Sequence, residues 1–187
     1  MKKKNTALIL ALSLIVVCHI GGTIAWLMDT TEEIENTFTI GKVDISLAET
    51  KPTDNTAQMV PGGSTDKDPK VTVEAGSEDC YVYVEITEAN NTLTSDASKK
   101  FVIWAAASGW TQGDGTNIPA NVYYRDGSAG DSWSVLDGDS VSFNDAITNA
   151  DMTAADTNKP TLTFKAYAIQ NANIASAAAG WAELTAD

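Results

Sequence analysis

The stretch "CYVYVEIT", Cys80 to Thr87, alternates without a break. Cys80, Val82, Val84 and Ile86 fall on one side, and Tyr81, Tyr83 and Glu85 on the other. Successive side chains of an extended strand point to opposite faces, so the pattern predicts a strand with one apolar face. Two tyrosines on the second face predict partial cover there as well. Cys80, the one cysteine left after the N-terminal leader, shares the phase of the apolar face, which favours a small buried hydrophobe over a bridge between chains.

Working outward, the same alternation recurs. "KVDISLAE" (Lys42–Glu49) sets Val43, Ile45 and Leu47 against Asp44 and Ser46. A Pro-Gly-Gly turn at Pro61–Gly63 precedes a strand around Val71 and Val73. "NVYYRDG" (Asn121–Gly127) and "SWSVLDGDSVSFND" (Ser132–Asp145) read as strands, with a hairpin turn at "LDGDS". "TLTFKAYAIQ" (Thr161–Gln170) is a long strand with Leu162, Phe164, Ala166 and Ala168 on one side. "FVIWAAASGWTQ" (Phe101–Gln112) fits helix or strand, and Ala146–Pro160 reads as a loop with a short helical turn. Near the end, Ala-rich sequence with Trp181 and Leu184 three apart predicts a short C-terminal helix. Seven or eight short strands at these spacings predict an all-β antiparallel sandwich.

The first 25 residues have a different character. Lys2, Lys3 and Lys4 precede an apolar run from Thr6 to Ile20. Thr23 and Ala25 supply the small residues a signal peptidase needs three and one positions before its cut. His19, Gly21, Gly22 and Thr23 interrupt the run and no basic stop-transfer cluster follows, which argues against a membrane span. Cys18 stands where a lipoprotein box would place it, but Val17 is bulkier than such a box takes. The expectation is cleavage after Ala25, with Trp26 as the new end and membrane contact only before the cut. Three lysines and no acid leave with the leader, so the net charge passes from −13 to −16. Such a surface repels nucleic acid and anionic membranes.

What is missing also narrows function. The one histidine, His19, lies in the leader, which removes Ser-His-Asp chemistry and His-ligated zinc from the mature chain. There is no HExxH, no phosphate-binding loop and no dinucleotide fingerprint. The scattered acids single out no catalytic carboxylate pair. Aspartates in "TQGDGTN" and "LDGDSVS" offer the oxygen ligands of Ca²⁺, yet neither has calcium-loop spacing and Asp-Gly is turn chemistry. No catalytic residue, metal or cofactor is therefore expected, with Ca²⁺ the one alternative. Tyr81, Tyr83, Trp104, Trp110, Tyr123, Tyr124 and Trp133 would suit sugar stacking on a monomeric binding module, or else core and cross-strand packing.

The N-terminal region carries a more specific pattern. Gly22-Thr23-Ile24-Ala25, then Trp26 with Asp29, then Asn36-Thr37-Phe38-Thr39-Ile40-Gly41 and an alternating strand follow in order. This resembles TasA-type and camelysin-like secreted proteins of Gram-positive bacteria, which are cut by an endoplasmic-reticulum-type signal peptidase. Asp68–Ile86 and Leu162–Gln170 also resemble that group. The resemblance implies a jelly-roll-like β-sandwich, secretion, and self-assembly into matrix fibres. It further implies that the mature N-terminal segment leaves its own subunit and completes the sheet of the next, by donor-strand exchange. Camelysins are described as metallopeptidases, and the absence of HExxH here departs from that.

The residues of the segment fit such a role on physical grounds. A cut after Ala25 would leave Trp26, Leu27 and Met28 at a chain end, where polar residues are usual. Burying each gives roughly 1.5–3 kcal/mol before the entropy of ordering. Ile34, Phe38 and Ile40 extend the apolar set toward the sandwich. Asp29, Glu32, Glu33 and Glu35 keep the body of the segment in water until it docks. The expected organisation is a leader over 1–25, a donor segment over 26–36 and a sandwich domain over 37–187. Whether the segment docks on its own subunit or the next stays open at this level.

Overall fold

In the computed structural model, residues 41–51 and 58–186 are described. They belong to the unit Ile40–Asp187. Ten strands and two α-helices are present among them. Strand β4 (Cys80–Ala89) is the centre of the architecture. It pairs antiparallel on one side with β10 (Thr161–Gln170), in full register from Cys80 opposite Gln170 to Ala89 opposite Thr161. On the other side it pairs with β7 (Val122–Gly127), which in turn holds the two-residue β6 (Thr111–Gln112). The sheet order is therefore β10-β4-β7-β6.

A second sheet faces it. Strand β3 (Lys70–Val73) pairs with β1 (Ile45–Ala48) and with β8 (Ser132–Ser134). Val71 and Val73 from this sheet meet Cys80, Val82, Val84 and Ile86 from β4, with Val135 closing the cluster. All seven are essentially without solvent contact, as the alternation of "CYVYVEIT" requires. Each adds about 1.5–3 kcal/mol of burial for the larger side chains. Burial also pushes the Cys80 thiol up to about 11, so it stays protonated and inert at neutral pH. Ile45 and Leu47 of β1, and Leu162, Phe164, Ala166 and Ala168 of β10, pack around the rim on the faces their alternation predicts.

The other face of β4 is covered by a helix. Tyr83 is fully buried under Trp181 of α2 (Ala177–Leu184), and Tyr167 of β10 meets the same indole. Gly180 lets the helix sit this close: a Cβ there would fall 2.6 Å from the Tyr83 hydroxyl.

A third small sheet, β2 (Ser64–Asp66), β9 (Ser140–Phe143) and β5 (Val102–Ile103), is ordered β2-β9-β5. It frames a separate cluster of Leu93, Phe101, Phe143, Ile147 and Ala155. Two sequence expectations change here. The "LDGDS" turn does not close a hairpin: β8 pairs with β3 and β9 pairs with β2 and β5, so the turn carries the chain from one sheet to another. A short 3₁₀ turn at Asp137–Asp139 does this, with Gly138 at φ +63 and Asp139 at φ +49. Second, the loop read at Ala146–Pro160 contains a nine-residue helix, α1 (Asn149–Thr157). Thr148 and Asp151 form a reciprocal capping box at its start.

The Asp151 carboxylate is the most heavily bonded acid among the described residues. It accepts from Thr94 Oγ1 (2.7 Å), Ser95 N (2.8 Å), Ser95 Oγ (2.6 Å), Thr148 N (2.9 Å) and Thr148 Oγ1 (2.6 Å). The hydroxyls of Ser95 and Thr148 hold it far below the usual carboxylate range. This network ties α1 to the loop after β4. Glu88, at the end of β4, anchors the same loop by accepting from Lys100 Nζ (2.8 Å), Asn91 Nδ2 (2.9 Å) and Trp104 Nε1 (2.7 Å).

Candidate functional site

Strand β10 ends its sheet, so among the described residues its outer edge pairs with nothing. Alternate residues of this ten-residue strand turn their backbone donors and acceptors to that edge, an invitation to strand addition unless something covers them. β1 packs near β10 without joining its ladder, and ends its own sheet too. Between these edges runs a groove of about 890 Å³, which also reaches β2, β9 and α1. Leu47, Met59, Phe143, Met152, Leu162 and Phe164 line it. Leu47, Leu162 and Phe164 are partly buried members of one apolar cluster and Met59 and Met152 of another, to which the buried Phe143 also belongs.

One ion pair is set into the wall. Lys67 Nζ lies 2.7 Å from Glu49 Oε1, and the two side chains are only 17% and 20% exposed. The same ammonium stands 5.2 Å from the centroid of the Phe164 ring, a cation–π contact. Lys67 thereby links β2, the end of β1 and β10. Lys159 at the rim is exposed and makes no ion pair among the described residues.

The residues singled out from the sequence fall as follows. Thr23, Ala25, Trp26, Leu27, Met28, Ile34, Phe38 and Ile40 lie outside the described residues. The aromatics proposed for sugar stacking are mostly packing elements. Trp104 makes an edge contact with Tyr123 and donates to Glu88. Trp110 meets Trp133 edge-on and donates to the Ser134 carbonyl. Tyr83 is interior. In "TQGDGTN", Asp114 accepts from Thr116 N, Asn117 N and Ile118 N, the turn role read from Asp-Gly. The groove itself was missed, because its lining comes from six separated elements and no local pattern marks it.

The sequence model of the family described as camelysin metallo-endopeptidase matches residues 1–100. That is more than half of the 187 residues, and it spans the leader-like region and β1 to β4. The chain belongs to the camelysin family. The match bears out the resemblance drawn from the N-terminal pattern and from Asp68–Ile86. No curated protein matches the chain. The camelysin description implies a peptidase metal, and the donor set does not fit one. His19 is the only histidine, and among the described residues no three His, Cys, Asp or Glu side chains gather as ligands. The described helices include none long and apolar enough to cross a membrane.

Proposed function

We propose that this chain is a secreted structural subunit of an extracellular, biofilm-type matrix, and that it assembles into fibres by N-terminal donor-strand exchange. The Trp26–Ile40 segment of one copy is the occupant of the β10 groove of the next. The observation that carries this is the coincidence of a ten-residue strand edge, unpaired among the described residues, with an apolar groove beside it. A strand added there gains main-chain hydrogen bonds from β10 and places alternate side chains among Leu162, Phe164 and Met152. Trp26, Leu27, Met28, Ile34, Phe38 and Ile40 supply the apolar side chains such a strand needs. Lys159 at the rim complements the four acids of Asp29–Glu35.

Secretion and release by an endoplasmic-reticulum-type signal peptidase are part of the same proposal, supported by family membership and the leader pattern. The test is deletion of Trp26–Thr39 from the mature protein. The variant should stay folded and monomeric by circular dichroism and light scattering, and form no fibres under the electron microscope. Fibres at unchanged yield would refute the proposal.

A further inference from the structure

The chain has a single arginine, Arg125 on β7. Its guanidinium lies 4.0 Å from the Trp133 ring centroid and 5.4 Å from that of Trp110. Gly109, at φ +86, closes against its tip: a Cβ there would stand 3.2 Å from Nη1. Two indoles and a glycine thus hold the group in a fixed plane. Among the described residues it makes no salt bridge within 4.0 Å and no hydrogen bond, and Nε is buried without a partner. The charge of Asp131 acts on the guanidinium without closing a salt bridge, so the group keeps room for a second carboxylate. Nε is sealed from solvent, so a ligand can meet only the Nη edge of the group.

The arginine lines a polar cleft of about 560 Å³, distinct from the β10 groove. Tyr81, Tyr124, Thr111, Asp126 and Ser176 share its wall. We propose that this cleft binds an acidic sugar, with its carboxylate on the Nη edge of Arg125. The size fits one or two sugar rings. The lining decides the class of ligand. One fixed guanidinium matches one planar carboxylate. Asp126, the next residue of the strand and on its other face, disfavours a ligand with several negative charges and can accept from hydroxyls at that side of the cleft. Tyr81 and Tyr124 lie on the other face of the sheet from Arg125, by strand alternation, and add aromatic surface to the cleft across the edge of β7. This inference stands independently of fibre assembly, because its residues lie on β4, β6, β7 and the start of α2 rather than along the outer edge of β10.

A single arginine gives a single side-chain Nε–H signal, which makes the site directly observable. The full mature protein is titrated with glucuronate, glucose and glutamate while that signal and the indole signals of Trp110 and Trp133 are followed by NMR. The expected result is a saturable shift with glucuronate alone, with glucose and glutamate inert. Arg125→Gln should weaken glucuronate binding about tenfold or more, and Arg125→Lys should recover only part, since an ammonium cannot make the bidentate contact. If Arg125→Gln fails to fold, the wild-type titration still decides. A guanidinium serving only to clip Trp110 to Trp133 would show no shift with glucuronate, and that result overturns the proposal. A glutamate response equal to that of glucuronate overturns the assignment to sugars.

Discussion

Lys67 Nζ sits 2.7 Å from Glu49 Oε1 in the wall of the β10 groove, with both side chains more than three-quarters buried. A pair this enclosed couples its partners more tightly than a surface bridge, because water screens it less. Lys67→Met leaves the largely buried Glu49 without a cation and removes the contact with Phe164. The expected cost is about 1–3 kcal/mol. Adding Glu49→Gln to Lys67→Met should recover part of that loss, which urea denaturation of the four proteins in the cycle measures.

The groove itself is open to a sharper perturbation. Leu162 lies on its floor, at the rim rather than the centre of the core. Leu162→Glu places a charge where the donor strand is proposed to bury an apolar side chain. Fibre formation should fall by about tenfold or more, the effect of losing one anchor of an interface. The melting temperature of the monomer should move far less than it does for Val84→Ala in the interior. Equal losses in both readouts would mean that Leu162 serves the fold alone.

The strand alternation made much of this architecture visible from residues alone. "CYVYVEIT" and "TLTFKAYAIQ" became β4 and β10, with every apolar face where the period of two puts it. The spacing of Trp181 and Leu184 marked α2. Helix α1 escaped because Asn149–Thr157 has no apolar stripe; only the Thr148–Asp151 box announces it, and the box uses Asp where Glu is the stronger signal. Strand β2, Ser-Thr-Asp, carries no hydrophobic pattern at all. The partner of β9 was misjudged because Asp-Gly marks a turn without saying which sheet the chain enters next. The groove and the Arg125 cleft are properties of tertiary assembly, so neither has a local signature.

Helix α2 depends on one absent methyl group. Gly180→Ala would put a Cβ 2.6 Å from the Tyr83 hydroxyl and 3.0 Å from Ile169 Cγ2. The helix must lift, and the 2.7 Å hydrogen bond from Tyr83 to the Ala177 carbonyl must stretch or break. A loss of about 1–3 kcal/mol is expected. Trp181→Ala, which empties the contact with Tyr83 and Tyr167, should cost more, about 3–5 kcal/mol. Tryptophan fluorescence and chemical denaturation report both.

Acid should loosen the α1 attachment specifically. Asp151 is held below its ordinary value by the hydroxyls of Ser95 and Thr148. A carboxyl with a depressed folded-state value stabilises the protein fully above its unfolded value, near pH 4. That contribution is lost as pH falls from there through the folded value. Asp151→Asn, which offers an amide where donors converge, should lower the melting temperature by several degrees at pH 7. The gap from wild type should stay constant down to about pH 5 and shrink below pH 4. A gap that instead widens on acidification would contradict the bonding scheme.

The central claim is that the mature N-terminal segment of one subunit occupies the β10 groove of another. Zero-length carbodiimide cross-linking tests it most directly, since Glu32, Glu33 and Glu35 are to meet the groove lysines Lys67 and Lys159. Fibres grown from equal parts of ¹⁴N- and ¹⁵N-labelled subunits are cross-linked, digested and analysed by mass spectrometry. The account predicts cross-links between the Trp26–Ile40 segment and groove peptides in which about half of the linked pairs carry mixed isotopes, the share set by random mixing of two equal pools. Cross-links at the same sites with no mixed-isotope pairs would show the segment docked on its own subunit, and would contradict it.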